Sequence, residues 1–528
     1  MSMKLGLLRQ ENSGEPRASI CSRLNECCSK PVVCSRFAIC MLVLLIAGNY
    51  AVVIALGLSV WTPVSTAAAW QTWPVNINFG GWLVLENWMF TGSMGSDDFW
   101  QGVCFPPAVL DEPWTSEGPL VQQMLQSQGR AKTIKNFHTF RETFISAEDL
   151  DDVMTLGVQV IRVPFMWTAF ADALTRIDEN IYGGYDPEFE STVVPDPFYP
   201  ENASYVTIPR HFIAEFLRNC SRRGLKVLLD LHSMPSGAAE GAYNGIDPLK
   251  PVFWFNNSRI GNTSIALTDA GLLIVEKFID WVEHLDRRAR AGIGGLSFMN
   301  EPGQQVKDIK LKPILDWTTK AANMFRTSTL PNRGVKLYVN MIQLPQEQNF
   351  YNELSTWWIN TFSEAERDLW VVMDIHNYLA WRNGCKGHHE GAPDKGYTCD
   401  EPIEQAQATV KECLEPFMRW LAGFFPGLKA SGEFSLLTDH TEKNACTNPE
   451  LLKMFLAQQV DAFRKSGFEP FFWTWKTPYA PGKEPWWSYQ YHLGLKRPPP
   501  FECTLPTTLL QNATWPNGNG NAKILAKR

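Results

Sequence analysis

Two glutamates close apolar runs in this chain. Glu301 ends Ile293–Glu301, and Glu433 lies near the end of Leu428–Ser435, 132 positions further on. A pair of carboxyls can divide acid and base work when their surroundings pull their proton affinities apart. Set about 5–5.5 Å apart across an acetal bond, one carboxyl protonates the leaving oxygen and later serves as base, while the other attacks the anomeric carbon. Other polar side chains fall at matching places. Glu86 follows Val75–Leu83, Arg162 lies in Val158–Phe165 and His232 ends Leu225–His232. Asn300 precedes Glu301, His376 and Tyr378 end Trp370–Tyr378, and Trp473 lies in Glu469–Lys476. A buried ion needs a partner, so apolar runs that finish in Glu, His, Arg or Trp suit a convergent site better than packing alone. Phe298 and Met299 beside Glu301 would favour its protonated form by desolvation. Tyr378, Arg162 and His376 could hydrogen-bond Glu433 and keep it ionised.

The seven runs named above, with Val335–Asn340, read as eight strands. Several are near-continuous apolar stretches, as expected for parallel strands buried on both faces. Between them lie amphipathic segments, predicted as helices over Ala147–Leu156, Pro209–Arg223, Thr268–His284, Glu404–Leu421 and Pro449–Lys465. In Pro209–Arg223, Phe212, Ile213, Phe216 and Leu217 share one face that Arg210, Arg218 and Arg222 largely avoid, and Gly224 stops the helix. The fold class is therefore α/β, a (β/α)8 barrel with long loops at 92–144 and 171–207. In such a barrel the C-terminal strand ends carry the chemistry, which is where the polar residues fall. A doubly wound open sheet is the alternative, but Gly80-Gly81 lacks the phosphate-loop spacing that would go with it.

The chain has 528 residues, 48 Lys+Arg, 55 Asp+Glu and a formal charge of -7, a poor match for binding nucleic acid. Its 21 tryptophans all lie at or beyond Trp61 and suit core packing or the docking of flat sugar rings. Residues 37–60 carry no charge and would rise about 36 Å as a helix, enough to cross a membrane. Six cations precede this run, against three acids. That bias predicts a single-pass type II protein, its catalytic domain extracellular or luminal. The expected organisation is a cytoplasmic tail (1–36), a transmembrane signal anchor (37–60), a linker (61–72), the barrel (73–510) and a loose tail (511–528). A cleaved signal peptide ending near Ala67-Ala68-Ala69 is the competing reading. Cys27, Cys28, Cys34 and Cys40 are candidates for palmitoylation. Sequons at Asn202, Asn219, Asn256, Asn262 and Asn512 agree with an outside domain. Disulfides are expected among Cys385, Cys399, Cys413, Cys446 and Cys503, with connectivity open.

Seven motifs, in order, resemble glycoside hydrolase family 5. They are Asn78-Phe79-Gly80-Gly81-Trp82-Leu83-Val84-Leu85-Glu86, Arg162-Val163-Pro164, Asp230-Leu231-His232, Met299-Asn300-Glu301-Pro302, Asp374-Ile375-His376-Asn377-Tyr378, Gly432-Glu433-Phe434-Ser435 and Phe472-Trp473-Thr474-Trp475-Lys476-Thr477. The first and last are most like the family's fungal-type exo-β-1,3-glucanases. The resemblance implies Glu301 as acid/base and Glu433 as nucleophile, with Asn300 on the sugar 2-hydroxyl. It also implies that Arg162 and Tyr378 position Glu433, that His232 and His376 line the innermost subsite, that Trp473 forms its floor and that Glu86 binds sugar hydroxyls. Asp230 and Asp374 point back into the barrel as structural groups, and Trp82 and Trp475 suit core or site equally. No metal or organic cofactor is required. The implied partner is a β-glucan oligosaccharide or polysaccharide, with β-1,3 linkage first. β-1,6 or β-1,4 glucan, a glycolipid glucoside, or transfer to another sugar are alternatives, as is a non-catalytic glycan-binding protein. Phe434 stands where Trp is usual, Pro478 where the glucanases tend to have Glu, and the loop Ser233–Gly245 differs from theirs.

Overall fold

A computed structural model describes residues 75–90, 114–255, 258–261, 263–341, 349–379, 403–437, 448–477 and 484–495. They belong to one compact unit, Trp70–Arg528. The expected tail, anchor and linker, the end segment 511–528, and Pro478 lie outside the described residues. Among the described residues no helix is long and apolar enough to cross a membrane.

Eight strands pair in parallel and close on themselves: β1 (Asn76–Asn78), β2 (Val160–Met166), β5 (Lys226–Ser233), β6 (Ile293–Ser297), β7 (Lys336–Asn340), β8 (Val371–Asp374), β9 (Leu428–Phe434) and β10 (Phe468–Phe472). β10 returns to β1, with Asn76 opposite Phe471. Each expected strand is present, and most end earlier than expected because the last residues leave the ladder to line the mouth. Within the loop 171–207 a short antiparallel hairpin, β3 (Val193–Pro195) and β4 (Ser204–Val206), was not foreseen. Nor were helices Glu117–Gln128 and Arg130–Phe144 in the stretch read as a loop.

All five predicted helices form, with every end within one residue of the expected one. Ala147–Thr155 opens on a reciprocal cap, in which Ser146 and Asp149 each accept the other's backbone N–H. Asp149 also accepts from Trp475 Nε1 at 2.9 Å and Lys476 Nζ at 2.7 Å, tying this helix to the segment after β10. In Arg210–Arg222, Arg210 departs from the expected pattern. It is buried, because Asp172 takes its guanidinium in two bonds of 3.1 Å.

The barrel interior is layered. Leu228, Tyr338, Val372, Ala430 and Phe471 form an apolar plug. Two residues on, the same inward faces carry Asp230, Asn340, Asp374 and Gly432, and His232 and His376 follow above. β9 breaks the alternation. Ser431 pairs with Pro470 but Phe434 with Phe472, so β9 spends one residue more than β10 over this stretch. A bulge of this kind re-aims the side chains beyond it. Gly432 and Glu433 consequently both face the interior, while Phe434 packs outward on Phe463 at 5.0 Å between ring centres.

Of the sequons, Asn202 is exposed. Asn219 lies within a helix, its side-chain amide bonded to the Glu215 carbonyl at 3.0 Å. The other three lie outside the described residues. Cys413 is disulfide-bonded, while Cys220 is a buried free thiol.

Candidate active site

Arg162 organises the mouth of the barrel. It is fully buried on β2 and donates to Asn78 Oδ1 (2.9 Å), Glu433 Oε1 (2.6 Å), Asp230 Oδ2 (2.9 Å) and Asn300 Oδ1 (2.8 Å). Such a planar fork can hold several acceptors in one orientation. Burial opposes its charge, but Asp230 and Glu433 more than compensate, so its affinity for the proton rises further. Asn300 accepts through Oδ1, which leaves its Nδ2 as a donor for other partners.

Glu433 has a second donor in the Tyr378 hydroxyl, 2.7 Å from Oε2. The two donors together fix the orientation of the carboxyl group. Glu301 is held differently. Its backbone has φ +42°, an uncommon region for a residue with a side chain. The Asn340 side chain secures it by accepting the Glu301 N–H at 2.6 Å. His376 stands between the two acids, with Nδ1 2.8 Å from Glu301 Oε1 and 3.4 Å from Glu433 Oε2. The ligating atoms of these three residues all lie within 4.8 Å of one another.

The protonation pattern corrects one expectation. Burial does push the Glu301 carboxyl up, as its apolar neighbours suggested. The hydrogen bond and charge of His376 outweigh that, with help from Tyr243, and hold it below the usual carboxylate value. Burial disfavours an imidazolium, yet Glu433, Asp374 and Glu301 push His376 up to about 10. In the sugar-free site the shared proton therefore rests on His376. By spacing alone the same three groups could also hold a metal ion.

Glu86 is the third acid. Burial, then the charges of Glu433 and Glu301, raise it to about 8 against the hydrogen bond from Trp88 Nε1 (2.8 Å). It is therefore neutral at pH 7 and can donate as well as accept. Because its folded value lies above the ordinary 4.5, the unfolded chain releases this proton first. Stability from this group is full below about 4.5 and declines as pH rises toward about 8. Glu86→Gln, which cannot ionise, should flatten that decline; thermal melts of both proteins from pH 4.5 to 8.5 check it, and parallel curves would refute it.

Trp473 lies against His232, with ring centres 5.8 Å apart and planes 14° from parallel. A Cβ on Gly80 would come within 2.6 Å of the Trp473 indole, so this position takes no side chain. His232 Nδ1 meets Asp230 Oδ2 at 2.6 Å.

All nine residues singled out from the sequence thus converge. Arg162, Asn300, Glu433 and Tyr378 share one bonded network, Glu301 joins it through His376, His232 through Asp230, Trp473 stacks on His232, and Glu86 lies close enough to both acids for their charges to raise its proton affinity. Trp82 and Trp475 are core: their Nε1 groups bond Arg141 O (2.7 Å) and Asp149. Asp374 is structural, accepting Gly432 N–H at 2.6 Å. Asp230 is more than that, since it orients both Arg162 and His232. Asn78, Asn340 and Tyr243 were missed as functional positions. The first two were legible as amides at the last position of their strands. Tyr243 had a weaker signal, the divergent loop that contains it.

No family model matches the chain. A probable glucan 1,3-beta-glucosidase A of Neosartorya fischeri is 25% identical over 430 residues, 77% of this chain and 83% of that protein. The sporulation-specific glucan 1,3-beta-glucosidase of Saccharomyces cerevisiae is 21% identical over 439 residues, 74% and 78% respectively. Among solved structures, rutinosidase from Aspergillus niger aligns with a TM-score of 0.49 and 15% identity, covering 81% of this chain and 98% of that one.

Proposed function

We propose, taking the chain as a glycosidase similar to the glucan 1,3-beta-glucosidases, that it is a retaining enzyme of β-glucan, β-1,3-linked glucan first. The observation that carries the reading is that one carboxyl oxygen of Glu301 lies within 4.8 Å of one of Glu433 in one buried mouth. That spacing suits direct attack by a carboxylate and falls short of the gap of about 6.5–9.5 Å across which an inverting pair holds its water.

In the first step a Glu433 oxygen bonds to the anomeric carbon as the C–O bond to the leaving sugar breaks, and the departing oxygen takes a proton from Glu301. Glu301 acquires that proton across its short contact with His376. In the second step water attacks the same carbon, gives its proton to Glu301 and releases Glu433. Arg162 and Tyr378 hold Glu433 aimed through their hydrogen bonds. Asn300 offers its amide to the 2-hydroxyl, Glu86 and His232 bind other hydroxyls, and Trp473 gives the sugar a flat floor. An extracellular or luminal position behind an N-terminal anchor is part of the same proposal. Its support is the charge asymmetry of the first 60 residues and the exposed sequon at Asn202.

Product analysis on laminarin-type, β-1,6 and β-1,4 glucans, with the anomeric configuration of the released sugar, tests linkage and mechanism together. Retained configuration is expected; inverted sugar would remove the nucleophile role from Glu433. Glu301→Gln should lower turnover of unactivated oligosaccharides by about 10²–10⁴-fold and that of dinitrophenyl glucoside far less, because a good leaving group needs no proton. Equal losses on both would count against the acid role.

A further inference from the structure

We propose that Tyr243, on the loop that follows β5, is a positioning residue for Glu301, its hydroxyl aimed at the carboxyl group that serves the leaving group. The proposal rests on the reading of Glu301 as acid/base given above. Three observations carry it. First, the Tyr243 ring is fixed, meeting His232 edge-on with ring centres 5.9 Å apart, and His232 is itself stacked on Trp473. Second, the hydroxyl oxygen is buried and makes no well-formed hydrogen bond within the protein, although a buried hydroxyl ordinarily finds a partner. Third, the neighbouring acid is Glu301, close enough for the phenol to favour the charged form of its carboxyl. Burial and the neighbouring acids push the phenol well above its ordinary range, so it stays a donor throughout the working pH.

The segment around Tyr243 is built to hold this position. Asn244 is buried, accepts the Ile246 N–H at 2.8 Å through Oδ1 and bonds the Ala239 carbonyl through its amide. Gly245, at φ +84°, turns the chain with Met166 and Tyr205 packed against it, so a Cβ there would clash. The loop thus holds one phenol against His232, beside the acid/base group. A hydroxyl without an ideal partner in the empty site can turn either to Glu301 or to the departing sugar oxygen.

Glu301 is faced by His376 from beyond β8, by Glu433 from β9, by Glu86 from beyond β1, by His232 from β5 and by Tyr378. Tyr243 joins this set as a neutral phenol whose hydroxyl, unlike that of Tyr378, is not bonded to Glu433, so deleting it leaves the nucleophile's contacts in place. Tyr243→Phe keeps the ring on His232 and removes only the donor. Without it Glu301 binds its proton more tightly, so activity that depends on that proton survives to higher pH. Because Glu301 and His376 share the proton, the limb belongs to the pair.

The test is the pH dependence of kcat/KM on phenyl β-glucoside for the full chain, its Tyr243→Phe variant and its Glu301→Gln variant. The alkaline limb of Tyr243→Phe should move upward by about half a unit to one unit. A limb that superimposes on the wild type, whatever happens to kcat or KM, overturns the proposal, since a merely structural tyrosine would change rates without moving it. The Glu301→Gln profile separates the two levels. If it lacks the alkaline limb while Tyr243→Phe shows no shift, only the role of Tyr243 fails. If Glu301→Gln keeps the limb, the acid/base assignment falls and this proposal with it.

Discussion

Glu433→Gln should reduce turnover by about 10⁴-fold or more, which is roughly 5.5 kcal/mol of lost transition-state stabilisation. A glutamine amide has the shape of the carboxylate and still accepts one hydrogen bond, but it cannot form the glycosyl ester. The bond from Arg162 (2.6 Å) or that from Tyr378 (2.7 Å) can be kept by its remaining oxygen. Folding and sugar binding should accordingly survive, as a binding titration with laminaribiose and a thermal melt would record. A more demanding version uses Glu433→Gly with sodium azide. The small anion fits where the side chain was and attacks an activated aryl glucoside, so rate returns and the product is the inverted glycosyl azide. Appreciable hydrolysis by Glu433→Gln, after contamination is excluded, would sink the assignment.

Arg162→Ala should have the largest effect on stability. Removing one member of a buried ion pair costs about 3–5 kcal/mol, because the partner's charge stays behind without compensation. Here two carboxylates, Asp230 and Glu433, lose their cation at once. Against a total stability of about 5–15 kcal/mol such a loss is visible as a large fall in the urea midpoint. Arg162→Lys should rescue little, since one ammonium cannot reach four acceptors that a guanidinium fork spans. Arg162→Met combined with Asp230→Asn should recover part of the loss by removing one stranded charge. The pH dependence runs the same way. Burial raises Asp230, but Arg162 and His232 bring it below its ordinary 3.8. That contribution is present above 3.8 and is lost as pH falls through the folded value. In Arg162→Ala the acid-side loss should disappear, because the buried carboxyl no longer prefers to be charged. Unchanged urea midpoints would remove Arg162 from its organising role.

The barrel was legible in the sequence because parallel strands buried on both faces leave apolar runs of the right length, and all eight were placed. The acids were legible for the complementary reason: Glu301 and Glu433 sit where apolar runs end. Local geometry was not. Nothing in Met299-Asn300-Glu301-Pro302 announces a positive φ at Glu301 or the amide of Asn340 that secures it, since that contact joins residues 39 positions apart. Protonation was misjudged at Glu301 because sequence neighbours, Phe298 and Met299, were weighed while a spatial neighbour, His376, decides. Helices within 92–144 were missed because Arg130–Phe144 has a weakly segregated apolar face, and its burial is supplied by the long segments around it.

The extra residue in β9 has a further meaning. Up to Ser431 the strand obeys the two-residue rhythm that lets the barrel close; beyond it, the rhythm is reset and the reacting carboxylate turns inward. Closure and chemistry are therefore written in separate phases of the same strand. The amino acids below the reset can drift under the demands of packing alone, and those above it under the demands of the sugar, with the number of residues at the joint as the quantity that both must conserve.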